Sequence, residues 1–170
     1  MSIFCWSVSK PITVSPASWA ARTSGDTAHA PGLELVVVVH RVAGRAPGLY
    51  RVDAEGQLAP QRLADLRRSL TRTCLGQDMA GTCAAAFFTV ADLGVDVPGR
   101  AVPDREVRGD RRYRDLLIES GAVGQRIYLA AEATNLAARN LAAFRDDDLN
   151  ALLGLDGRNR AALHLTLLGA

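Results

Sequence analysis

The chain has 170 residues, 48% hydrophobic and 22% charged, with 20 Lys and Arg against 18 Asp and Glu for a formal charge of +2. That length suits one domain able to bury its own core, and disordered, collagen-like and membrane-spanning readings all fit the composition poorly. The near balance of charge, a single lysine (Lys10) and 5% aromatic residues speak against nucleic-acid binding, which gathers basic charge on one face with aromatics between.

Residues 1 to about 30 are rich in Ser, Thr, Pro and Ala, carry no sustained period, and read as an extended arm or irregular lead-in to a domain spanning 31–170. Leu33 to Val42 (LELVVVVHRV) is a β-branched run bounded by Pro31-Gly32 and Gly44; its apolar residues do not alternate, which predicts a central strand covered on both faces. Gly48 to Asp53 predicts a second short strand, with Ala54-Glu55-Gly56 as a turn and Gln57-Leu58 as a return. After Pro60, leucines at 63, 66, 70 and 75 follow a 3.6 period, so the spacing predicts an amphipathic helix with proline in its first turn. Thr82 to Ala91 is an apolar run of strand length whose three alanines leave helix and strand both open.

Leu93 to Asp110 is Gly, Pro and charge and predicts a long loop, with Arg105, Arg108, Arg111 and Arg112 as solvated charges around its end. A long helix follows from about Arg112 to Leu136, with Tyr113, Leu116, Leu117, Ser120, Gly121, Gly124, Ile127, Tyr128 and Ala131 on one face. Its small residues at 120, 121 and 124 admit a close backbone, which places this helix at the centre of a fold or of a dimer interface. Arg139 to Phe144 predicts a strand, Asp146 to Leu153 a short helix with acids at its positive end and Gly154 near its stop, and Ala161 to Leu168 a final strand. Strands and helices alternate, so the class is α/β or α+β.

The familiar catalytic patterns are absent: no G-x-S-x-G elbow, no GxGxxG and no GxxxxGK[ST]. Consecutive acids on a helix point about 100° apart, so Asp146, Asp147 and Asp148 read as a capping cluster rather than a metal site. His29, His40 and His164 have no metal-ligand spacing and read as structural histidines. Cys5, Cys74 and Cys83 form no CxxC, and an odd number cannot pair fully within one chain; reduced thiols in a cytoplasmic protein are expected. No basic n-region leads into a long apolar stretch, so no secretory signal is expected.

Three ordered segments carry more information. They are Pro31 to Val38 (PGLELVVV) with Pro47 to Asp53 (PGLYRVD), Tyr113 to Gln125 (YRDLLIESGAVGQ), and Phe144 to Asp156 (FRDDDLNALLGLD) followed by a strand ending Leu167-Leu168-Gly169. Together they resemble the nitroreductase superfamily, specifically its SagB-type dehydrogenase branch, whose members oxidise azolines to azoles in ribosomal peptide natural products. The resemblance implies an α+β fold, a nitroreductase-like mixed sheet flanked by helices, with a long central helix at a homodimer interface and one FMN in each of two clefts there. It implies an FMN-dependent oxidoreductase with hydride transfer through flavin N5, acting on a peptide azoline or a small-molecule acceptor, and a peptide substrate or peptide-modifying enzyme as partner.

By position, the backbone of Leu141, Ala142 and Ala143 would approach the flavin ring, a loop near Ser24 and Gly25 would touch it, and Arg22 or Arg139 would offer charge to the phosphate. The sequence offers no convincing general base, so no catalytic side chain and no metal site are expected. The chain departs from the family pattern in lacking an RRSxR-like opening, in Ala142-Ala143 for Gly-Gly, in Asn135-Leu136-Ala137 for Gly-Leu-Gly, and in Val123 and Arg126 for a His and an Asn. Each Cβ added to such a glycine narrows backbone freedom. A cofactor-free, degenerate nitroreductase-like scaffold or partner subunit is therefore the second expectation.

Overall fold

The computed structural model describes residues 32–53, 56–93 and 105–169, with no description of the side chains of 105–110. The expected arm, and with it Arg22, Ser24 and Gly25, lies outside the described residues. The described strands are β1 (Leu33–Val39), β2 (Gly48–Val52), β3 (Leu58–Leu63), β4 (Ala85–Asp92), β5 (Ala137–Leu141) and β6 (Arg160–Gly169). They form one sheet in the order β3, β2, β1, β4, β6, β5, with every pairing antiparallel. The described helices are α1 (Arg67–Thr73), α2 (Asp78–Thr82), α3 (Arg105–Ala133) and α4 (Asp146–Leu153).

The valine run occupies a central strand and is covered on both sides, as its unbroken apolarity predicts. Val36 and Val38 pack into a cluster with Leu66, Leu70, Cys74, Phe88, Leu149 and Leu153, under α1, α2 and α4. Val37 and Val39 pack oppositely, with Phe87, Val123, Ile127 and Ala130 under α3. The result is a helix, sheet, helix sandwich of the α+β class. Antiparallel pairing shifts register between Thr89 and Val90 on β4. The irregularity leaves Leu163 outside the register and directs it toward Leu116, while the ring of the next residue, His164, meets α3 where Gly124 has no side chain.

Three expectations are corrected. Residues 58–63 form β3, not the start of a helix: Pro60 sits opposite Tyr50 on an edge strand, where its missing N–H removes no ladder bond, and Leu63 is 62% exposed. Helix formation waits until Arg67, whose N–H donates to Asp65 Oδ1 at 3.1 Å. Helix α3 starts at Arg105 rather than near Arg112, replacing the end of the expected loop. Arg112 is not a free solvated charge; it donates to the Asp92 carbonyl at 2.9 Å, across the position where a side chain at Gly32 would lie.

The single apolar face expected for α3 divides in two. Leu116, Ser120, Val123, Ile127, Ala130 and Ala131 face the sheet, whereas Tyr113, Leu117, Ile118 and Leu129 are exposed. The two glycines divide likewise: a Cβ at Gly124 would meet the His164 ring at 2.8 Å, and one at Gly121 would meet nothing within 4 Å. Helix α4 and its stop follow expectation, with Gly154 left-handed at φ 75°. The residue before α4, Arg145, makes no side-chain capping bond, so the three aspartates act through charge in the first turn instead of as caps.

Candidate functional site

Strand β5 turns into α4 through Ala142, Ala143 and Phe144. Alternation along β5 sends Leu141 into the core shared with α1 and α4 and puts Arg139 on the same face, exposed and without a hydrogen bond or ion pair among the described residues. Asn140 points the other way, where its Oδ1 accepts from Thr166 Oγ1 at 2.8 Å and its N–H donates to Tyr128 Oη of α3 at 2.7 Å. The strand is thereby tied to its neighbour and to the long helix.

The loop itself is held from the other side. Gln77, in the turn between α1 and α2, donates through Nε2 to the carbonyls of Ala143 and Cys74, each at 3.2 Å. Arg145 N–H donates to the Thr73 carbonyl at 2.9 Å. Between these anchors Ala142 and Ala143 are exposed, and neither amide N–H bonds another described residue. A short stretch of fixed backbone thus presents two unspent donors, an arrangement that can hydrogen-bond an electron-rich heteroatom of a ligand. Gln77 was not singled out from the sequence; the only local signal is the turn at Leu75-Gly76, both of positive φ.

The structure brings Arg139, Leu141, Ala142 and Ala143 into one edge segment; Arg22, Ser24 and Gly25 fall outside the described residues. Among the described residues, nucleophilic sulfur is not part of this site. Cys74 and Cys83 lie in the core, and burial pushes their thiols up to about 11 and about 12, so both stay protonated near neutrality. Among the described residues no three metal-ligating side chains gather, and no helix is long and apolar enough to cross a membrane.

His40 is fully enclosed beside the site's supporting helices. Its Nε2–H donates to the Ala80 carbonyl at 3.1 Å, and Nδ1 has no partner among the described residues. Burial holds its pKa below the usual value, opposed by the Ala80 bond, and the charges of Arg67 and Arg41 act with burial while Asp65 acts against it. Burial also lowers His164. A histidine with a lowered folded pKa binds fewer protons folded than unfolded, so stability is full above the unfolded value of about 6.5 and falls as pH drops below it. The unfolding midpoint should be flat from pH 7 to 8.5 and decline below about 6.5. Denaturant titrations of His40→Gln should show a shallower acid decline; an identical slope contradicts this assignment.

A model of the nitroreductase family matches residues 12–169. Among solved structures, a proposed nitroreductase from Anabaena variabilis superposes with a TM-score of 0.72 at 28% identity, covering 90% of this chain and 32% of that one. A chain of the Escherichia coli microcin synthetase McbBCD complex, with truncated pro-MccB17 bound, gives 0.70 at 19% identity, covering 95% of this chain and 65% of that one. Nitroreductase A from Vibrio parahaemolyticus gives 0.61 at 16%, covering 95% and 60%. The chain therefore spans about a third of the length of the Anabaena protein and under two thirds of the other two. No curated protein sequence matches it.

Proposed function

This chain belongs to the nitroreductase family, and from that membership we propose that it is an FMN-dependent oxidoreductase of the SagB-type branch, working as a cytoplasmic homodimer. The observation that carries the reading is the loop after β5, where the free amides of Ala142 and Ala143 are held between Gln77 and Arg145. These are the residues the family resemblance assigns to the flavin ring, and donors without partners on fixed backbone fit that role. Bound FMN would supply hydride-accepting and hydride-donating chemistry.

The chain's own residues bind and orient. The Ala142 and Ala143 amides would donate to the ring edge and Arg139 would offer its guanidinium to the phosphate, while Tyr128 and Gln77 keep the backbone still. Arg22, Ser24 and Gly25, which fall within the family match at residues 12–169, would complete the cleft. The outer face of α3, with Tyr113, Leu117, Ile118 and Leu129 exposed around the open Gly121, is the surface for a second copy. The substrate is proposed as a peptide azoline or a small acceptor; the microcin synthetase, a structural neighbour with a peptide bound, supports a peptide partner.

The competing reading, a cofactor-free scaffold, rests on the missing RRSxR-like phosphate-binding arginines, with Ala142 and Ala143 standing where the family has glycine. Flavin fluorescence titration separates the two. Saturable quenching is expected, weakened about tenfold or more in Arg139→Gln, the scale of one charge-assisted contact. Absence of quenching up to high micromolar FMN leaves the scaffold reading in its place.

A further inference from the structure

A second surface lies on the same side of the sheet as α1. A groove of about 750 Å3 runs between the two short helices α1 and α2 and Arg145, the residue just before α4, with Arg67, Arg68, Arg72, Leu75 and Asp78 among its walls. Among the described lining residues, four carry a guanidinium group and one a carboxylate. Arg67 is fixed by a 3.0 Å bond to the His40 carbonyl and lies 3.6 Å from Asp65; Arg145 lies 3.5 Å from Asp148. The side chains of Arg68 and Arg72 have no hydrogen bond or ion pair among the described residues, and they stand four apart on one helix, where like charges repel. Leu75 sits at the end of this row at φ 56° and is 55% exposed, an apolar side chain held outward by a backbone that a leucine rarely adopts.

We propose that this groove docks an acidic polypeptide segment in extended conformation, with carboxylates on Arg68, Arg72 and Arg145 and an apolar side chain over Leu75. Most of the lining residues are exposed, so the groove is open along its length; a small molecule there would stay mostly wet, whereas an extended chain needs contact on one side only. Among the described residues no aromatic side chain lines it, so those residues offer no stacking platform of the kind single-stranded nucleic acid uses. Clustered arginine beside an apolar contact is the chemistry that recognises acidic motifs in chains. The proposal does not depend on flavin binding, since none of the groove's arginines is assigned to the cofactor.

The test is fluorescence anisotropy with a short labelled peptide of alternating Glu and Leu, beside its Gln and Leu twin, on the whole chain. The acidic peptide should bind and the twin should bind at least about tenfold more weakly, with affinity falling as salt rises. Arg68→Gln with Arg72→Gln should weaken binding about tenfold or more. Arg111→Gln with Arg158→Gln, which removes the same charge from other exposed positions, should leave it within about twofold. Equal losses in the two double variants, displacement by inorganic triphosphate at concentrations matching the peptide's own affinity, or no binding of the acidic peptide would each overturn the proposal. The replaced arginines are solvent-facing, and a thermal melt of each variant verifies that the fold is intact.

Discussion

Replacing Phe88 with alanine is expected to cost about 3–5 kcal/mol, the largest loss from any single substitution considered for this chain. Phe88 lies in the middle of β4, is fully enclosed, and fills the layer between the sheet and α1, α2 and α4, against residues that include Val38 of β1 and Leu165 and Leu167 of β6. Truncation removes the ring's transfer free energy and leaves a void that strands paired on both sides cannot close. Domains of this size hold about 5–15 kcal/mol in total, so the variant should melt about 10 °C lower and sit near the threshold of folding at 37 °C. Leu129→Ala serves as the counterpart. With 60% of Leu129 exposed on α3 of the isolated protomer, its truncation should move protomer stability by about 0.5 kcal/mol or less. Comparable losses in the two variants would contradict the assignment of Phe88 to a closed core.

Gly48→Val is expected to destabilise by about 3 kcal/mol, the upper end of what overpacking costs. Gly48 opens β2 between Val39 of β1 and Leu63 of β3. A Cβ there would lie 2.5 Å from the Arg62 carbonyl oxygen and 3.0 Å from Leu63 Cα. Both neighbours are backbone, so no rotamer change relieves the contact, and the end of β3 must lift away, taking with it the 3.2 Å bond from Ala64 N–H to the Pro47 carbonyl. Hydrogen exchange should show loss of protection concentrated in β2 and β3. Gly121→Ala should act in the opposite direction, raising the stability of the isolated protomer by about 0.5–1 kcal/mol, because its Cβ enters open space and alanine favours the helix. A Gly48 variant as stable as the parent would mean that β3 does not pair as described.

The strands and helices that could be read from the sequence are those whose local pattern and tertiary role agree. The valines of β1 need two covers and have them; Leu149 and Leu153 of α4 face the core, and Gly154 ends that helix. The misread elements are those where two patterns coexist. Leu63, Leu66 and Leu70 satisfy a helical period, yet the first of them belongs to an edge strand whose identity depends on pairing with β2. The first turns of α3 are arginine and acid with no apolar stripe, so nothing in their hydropathy announces a helix. Farther along, α3 carries two apolar faces, and only the finished packing, with Val123, Ile127 and Ala130 buried and Gly124 against His164, shows which one meets the sheet.

The candidate site was legible in part and by resemblance rather than by periodicity. Leu141, Ala142 and Ala143 came from the FRDDDLNALLGLD segment, and the structure adds what the segment could not show, that their loop is latched by Gln77 from 66 residues away. A contact of that sequence separation leaves no local signature. The free amides of Ala142 and Ala143 likewise follow from tertiary structure, because only the finished fold shows which backbone donors are spent.

The proposed function requires that this backbone hold a flavin. The most direct measurement is the visible absorption spectrum of the purified protein after incubation with FMN and desalting. A flavin band that remains with the protein, and that is reduced in Arg139→Gln, is the predicted result. A protein that returns colourless, while its melt shows it folded, would contradict the claim and leave a nitroreductase fold without the cofactor.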